Sequence, residues 1–84
     1  MLLTEKASEQ INELISKGWE FMLNYGSNVG INLKQFGWEA DFTRKLKNGG
    51  WDNHKPGYSK LNPSMAVYRA YDNIKKHRKY GVRG

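Results

Sequence analysis

Eighty-four residues with 38% hydrophobic content leave room for one small cooperative domain and no second core. The absence of cysteine excludes disulfides and thiolate metal sites, which fits a reducing, cytoplasmic setting. No apolar run approaches the ~18 residues of a membrane span, and Met1–Lys6 shows no targeting pattern, so neither a membrane partner nor an anchor is expected.

The net charge is +6, and its division carries more than its sum. Residues up to Phe42 hold three lysines against six acids, whereas from Thr43 onward eleven Lys/Arg stand against two acids. Halves of opposite sign make an oriented field that steers nucleic acid, or an acidic protein surface, toward one side.

In the first segment Ala7, Ile11, Leu14, Ile15, Gly18, Phe21, Met22 and Tyr25 fall within an arc of about 120° at helical spacing. This predicts one amphipathic helix from Thr4 to Tyr25, capped by Thr4, with Glu5 in its first turn and Gly26 closing it. Gly18, costing about 1 kcal/mol against alanine inside a helix, reads as a packing notch. After a connector at 27–30, Leu33, Phe36 and Ala40 define one helical face and Trp38, Phe42 and Leu46 another. The change of phase predicts a short helical turn over 32–36 and a second helix over 37–47, stopped by Asn48-Gly49-Gly50, with Trp38, Phe42 and Leu46 entering the core.

Residues 48–61 read as an ordered loop in which Trp51 caps the small core. A short hairpin within 48–62 is the alternative and would make the fold α+β. Asn62-Pro63 starts a third helix, because asparagine caps well and proline at the first helical position forfeits no intrahelical bond. That helix should reach Lys79 or Tyr80, with Val67, Ala70, Tyr71 and Ile74 inward, and Arg69, Asp72, Lys75, Lys76 and Lys79 outside the stripe. Lys76 can pair with Asp72 at i,i+4. The expected architecture is mainly α, a single-domain three-helix arrangement with a long aromatic and basic loop between helices 2 and 3, ending in a flexible basic tail at 80–84.

The densest chemical constellation is Lys75, Lys76, Arg78 and Lys79, with Arg83 beyond, since clustered cations gain by releasing counterions from phosphates. Basic residues in a last helical turn also complement the helix dipole, so part of this cluster has a structural reason to exist. Tyr68 falls between Lys75 and Lys79 on the helical wheel, and Arg69 adjoins it. Arg44, Lys45, Lys47, Lys55 and Lys60 surround Trp51 and Tyr58, which extends the candidate surface into the loop.

Catalysis and metal binding find no foothold. Asp52-Asn53-His54 has no second histidine at ligand spacing and no paired carboxylate, His77 sits among cations, and no cofactor motif is present. A helix-turn-helix centred on Gly37 fits poorly, because Trp38, Glu39 and Asp41 would bring acids to phosphate.

The expectation is therefore a non-enzymatic binding protein that contacts DNA or RNA, mainly through phosphates, with its basic third helix, loop and tail. The alternative is an inhibitor or adaptor that docks on a nucleic-acid-handling host protein. There Trp51, Tyr58 and Tyr68 would be anchors and Glu5, Glu9, Glu13 and Glu20 would imitate phosphates from the first helix. In size and charge division the chain resembles, in kind only, small phage and mobile-element proteins. A homo-oligomer joining the negative half of one copy to the positive half of another is a third possibility.

Overall fold

The first helix stops nine residues before Tyr25. A computed structural model describes residues 3–26, 37–53 and 56–79, in the order α1 (Glu5–Ser16), β1 (Trp19–Gly26), β2 (Gly37–Lys45), β3 (Trp51–Asn53), β4 (Gly57–Ser59) and α2 (Pro63–Lys79). Thr4 caps α1 as its sequence implies, its side chain accepting from the Ala7 amide at 3.1 Å. At the far end the amides of Lys17 and Gly18 bond to the Leu14 and Ile15 carbonyls. Gly18 then takes φ +93°, a left-handed conformation that glycine adopts without steric cost and that ends helices. Gly18 is a stop, and the packing-notch reading is corrected.

From Trp19 the side chains alternate across a strand rather than circling a helix. Trp19 is buried, Phe21 and Leu23 pack against the core, and Glu20, Met22 and Asn24 face away and are exposed. On a helical wheel Trp19 and Leu23 would have fallen outside the apolar arc; period two accounts for them and period 3.6 does not. The same correction applies to residues 37–47. Ala40 and Phe42 are buried, with Trp38 against them, and Glu39, Asp41 and Thr43 alternate on the other face. Leu46 lies beyond the strand, and the expected turn at 32–36 falls outside the described residues.

The fold is thus α+β, two helices and a four-stranded antiparallel sheet, and not a three-helix, purely helical arrangement. β1 pairs with β2 along its whole length, from Trp19 opposite Arg44 to Gly26 opposite Gly37. The other edge of β2 is shared: β3 occupies one end, Trp51 opposite Lys45, and β4 the other, Tyr58 opposite Glu39. The segment expected to be a loop therefore contains strands, yet they pair with β2 and form no hairpin with each other. The chain turns between β2 and β3 through Gly49 at φ +89°, with the Leu46 amide bonded to the Gly50 carbonyl at 2.8 Å.

Both helices cover one face of this sheet and run parallel. Near their starts the Thr4 amide donates to Ser64 Oγ at 2.9 Å, and near their ends Lys75 Nζ donates to Glu13 Oε2 at 2.9 Å. Asn62 caps α2, its Oδ1 accepting from the Ser64 and Met65 amides at 2.9 and 3.3 Å. Between helices and sheet lie Ala7, Ile11 and Leu14 of α1, Trp19, Ala40 and Phe42 of the sheet, and Ala66, Val67, Ala70 and Ile74 of α2. The Phe21 and Phe42 rings meet at 4.9 Å.

α2 lies unusually close to β4. A Cβ built on Gly57 would stand 2.0 Å from the Ala66 carbonyl oxygen and 2.4 Å from the Ala70 amide nitrogen, both backbone atoms that cannot yield without moving the helix. Gly57→Ala should therefore cost at least about 3 kcal/mol, the upper part of the range for overpacking, or prevent folding. Gly26→Ala, where nothing lies within 4 Å, should change stability by less than about 0.5 kcal/mol. Urea midpoints of the two variants test this directly.

Candidate nucleic-acid interface

The cations of this chain divide into those that hold the fold together and those that do not. Glu13, on the α1 flank that faces α2, gathers three donors: Tyr71 Oη at 2.6 Å, Lys75 Nζ at 2.9 Å and Lys17 Nζ at 3.1 Å. The Tyr71 hydroxyl, then the Lys75 and Lys17 ammoniums, hold the Glu13 carboxyl down at about 2. The bond to Glu13 raises Lys75, while burial and then the same carboxylate raise the Tyr71 phenol. Lys75 also lies 5.1 Å from the Tyr71 ring centroid. Its first role is to clamp the helices.

Arg44 is equally committed. Its Nη2 donates to Asp52 Oδ2 at 2.9 Å, Asp52 is only 3% exposed, and the guanidinium stacks on the Trp19 ring at 4.7 Å. A planar guanidinium can do both at once, pairing through its edge and stacking through its face. Asp52, weighed in the sequence as part of a metal or base site, is this arginine's counter-ion. Among the described residues no three His, Cys, Asp or Glu side chains gather at metal-binding distance.

These two clusters lie at one end of the domain. Lys17 precedes Gly18, which packs beside the Arg44 stem; Arg44 continues into Lys45, and the β2–β3 turn brings Lys47 back toward Trp51. Lys45 and Trp51 stand opposite each other on the sheet face that carries no helix. Trp51 is 52% exposed, so the expectation that it caps the core is corrected: its strand register turns it away from the helices. Lys45 and Lys47 are exposed and make no ion pair among the described residues. Lys76, two-thirds exposed, pairs with Asp72 at 3.2 Å as its spacing implies.

The remaining candidates sit elsewhere. Arg69 reaches down α2 to donate to the Tyr58 carbonyl at 2.5 Å. Tyr58 belongs to β4 at the other end of the sheet, its ring lying over Gly37. Lys60 follows β4 and is exposed. Tyr68 is half-buried, hydrogen-bonded to the Thr4 hydroxyl, with the Lys6 ammonium 5.2 Å from its ring. Lys55, Arg83 and the tail at 80–84, with the side chains of His77, Arg78 and Lys79, lie outside the described residues. The candidate surface thus splits: Arg44, Lys45, Lys47, Trp51, Lys75 and Lys76 share one end, while Tyr58, Lys60, Tyr68 and Arg69 lie toward the other.

The supposed acidic ladder on α1 is also dispersed. Glu5 and Glu9 are exposed on the helix, Glu13 is engaged in the interhelical clamp, and Glu20 lies in β1 on the open sheet face. Sequence reasoning missed Trp19, Glu13 and Asp52 as the groups that organise the basic end. Only the isolated carboxylate at Asp52 within a basic half offered a signal, as a buried counter-ion.

No helix among the described residues is long and apolar enough to cross a membrane. Compared with known proteins, the chain matches no family model, no curated protein and no solved structure.

The Glu13 clamp makes a pH-dependent contribution whose sign follows from its lowered carboxyl. A group depressed on folding stabilises the protein above its unfolded value, near 4.5, and loses that contribution as pH falls toward 2. Because Glu13 is about one-third exposed, solvent screening limits the effect to about 1 kcal/mol. Glu13→Gln should therefore lower the denaturation midpoint at pH 6 and converge with the unmodified chain near pH 2. Parallel unfolding curves across the two pH values would detect a gap that fails to close. Arg44→Ala, which removes the ion pair of the buried Asp52 carboxylate, should cost about 3 kcal/mol at neutral pH, measurable in the same titrations.

Proposed function

We propose that this protein is a non-enzymatic nucleic-acid-binding module, acting in the cytoplasm, whose contact surface is the end of the domain built by the β2–β3 turn and the last turns of the two helices. The observation that carries the reading is the half-exposed Trp51 standing opposite Lys45, with Lys47 in the adjoining turn and Lys17, Lys75 and Lys76 on the helix ends. Ammonium groups gathered at one end of a domain neutralise phosphates and release their counterions. An indole beside them offers a stacking face to an unpaired base, worth about 1–3 kcal/mol per base and tolerant of sequence.

The reading is narrower than the one composition alone supports. Arg44 and Lys75 shape the surface more than they contact a ligand, because each already serves a carboxylate inside the fold. Single strands are favoured over duplex, since the ring needs a base it can reach. Phosphate mimicry toward a host protein has less to stand on, because Glu13 is already engaged by Tyr71, Lys75 and Lys17 and Glu20 lies in β1 rather than on α1.

The test is a salt titration of binding to labelled single- and double-stranded DNA and RNA. Lys45→Ala with Lys47→Ala should reduce the slope of log K against log salt by about 1.4, at roughly 0.7 per phosphate contact on single strands. Trp51→Ala should weaken single-strand binding by about tenfold or more and leave the slope in place. Lys60→Ala and Arg69→Ala should change neither. Binding that ignores salt, or that survives all three changes at Lys45, Lys47 and Trp51, would overturn the assignment.

A further inference from the structure

The face of the sheet that carries no helix has its own order. Along the middle strand β2 it presents Glu39, Asp41, Thr43 and Lys45; β1 adds Asn24, Met22 and Glu20 on one side, and β4 and β3 add Tyr58 and Trp51 on the other. Met22 is 59% exposed, a large apolar side chain in the middle of a strand. Asp41, beside it in register, has its carboxyl raised by partial burial.

The register makes the β2, β3 and β4 part of this face complementary to itself. Trp51 stands level with Lys45 and Tyr58 level with Glu39, so both aromatic and charged positions lie three residues either side of Phe42. Asp41 and Thr43 flank the same point. A two-fold axis lying between two stacked sheets, perpendicular to β2 and passing over Phe42, reverses the strand and keeps each lateral position. Under that operation Lys45 falls over Glu39 of a second copy, Thr43 over Asp41, and Trp51 over Tyr58. Three matches are of complementary kind, cation on carboxylate, hydroxyl donor on carboxylate and ring on ring; on β1 the same operation sets Glu20 over Met22, a carboxylate on an apolar side chain. Glu39 and Lys45 are about 20 Å apart along their own strand at ~3.3 Å per residue, too far to pair within one chain.

We infer that the open sheet face is a self-association surface, and that two copies of this chain pack sheet to sheet about a two-fold axis over Phe42. Such an isologous contact closes at two copies, unlike a head-to-tail contact, which needs a ring. Aligned sheets pack about 10 Å apart with strands turned by about 30°, a rotation that long side chains such as Lys45 and Trp51 can follow. Three strand positions at ~4.8 Å and a length near 25 Å give a footprint of about 350 Å² per copy before side chains are counted. At about 700 Å² for the pair this lies below the range of stable specific interfaces, so a weak, transient dimer is expected.

The contact shares Lys45 and Trp51 with the proposed nucleic-acid surface but needs no phosphate, so self-association measured without nucleic acid and salt-dependent binding of labelled strands fail separately. The experiment is sedimentation of the whole chain, free of nucleic acid, up to about millimolar concentration, with the fold of every variant verified by circular dichroism. The unmodified chain should dimerise reversibly. Glu39→Lys and Lys45→Glu should each weaken the dimer at least tenfold, because each sets like charges face to face. The double exchange should recover most of the lost affinity, which a merely structural role for either residue does not explain. A chain that stays monomeric at millimolar concentration overturns the proposal. So does a dimer indifferent to both single changes, as edge pairing through β1 would give, or a double exchange that restores nothing.

Discussion

The domain is organised by the place where α2 meets β4 without a side chain between them. Gly57 presents bare backbone to the Ala66 carbonyl and the Ala70 amide, and the two alanines add little bulk of their own. The helix therefore lies low on the sheet, Val67 and Ile74 share the core with Phe42, and α1 lies alongside. That seating sets the parallel pairing of the helices and brings Lys75 to Glu13. Small domains have few such options, since they bury a modest share of their surface and have little core to redistribute.

A second consequence is electrostatic. Parallel helices put both negative dipole ends at one pole, where cations are favoured. Lys17, Lys75 and Lys76 are found there, and the β2–β3 turn adds Lys45 and Lys47 from the sheet. The concentration of positive charge is thus partly a structural solution, and Glu13 and Asp52 show how it is tied down. What reaches beyond structure is the part with no partner inside the described residues, Lys45 and Lys47, beside an aromatic ring turned outward.

The helical periodicity of residues 19–25 illustrates how two patterns can coexist in a short stretch. Phe21, Met22 and Tyr25 satisfy a helical face, while Trp19, Phe21, Leu23 and Tyr25 satisfy a strand. Only the second set includes every large apolar residue except Met22, which the sheet leaves exposed. In 37–45 the rival sets were Trp38 with Phe42, and Trp38, Ala40 and Phe42 with polar residues between. The helix dipeptide-level signals at Thr4 and Asn62-Pro63 were trustworthy because a cap is decided by a few adjacent atoms. The strands were not, because short, half-exposed strands draw their stability from neighbours distant in sequence.

By itself the sequence determined the charge division, the absence of disulfides, the start of α1, the whole extent of α2 and the Asp72–Lys76 pair, all of which depend on composition or on residues within one or two turns. Tertiary structure alone decided that Gly18 ends a helix, that 48–62 supplies strands to β2, and that Arg44 and Lys75 belong to internal ion pairs. It also decided that Trp51 faces outward. Each of those outcomes turns on which strand lies beside which, and pairing register is a property of the assembled sheet, where a shift of one residue exchanges its two faces.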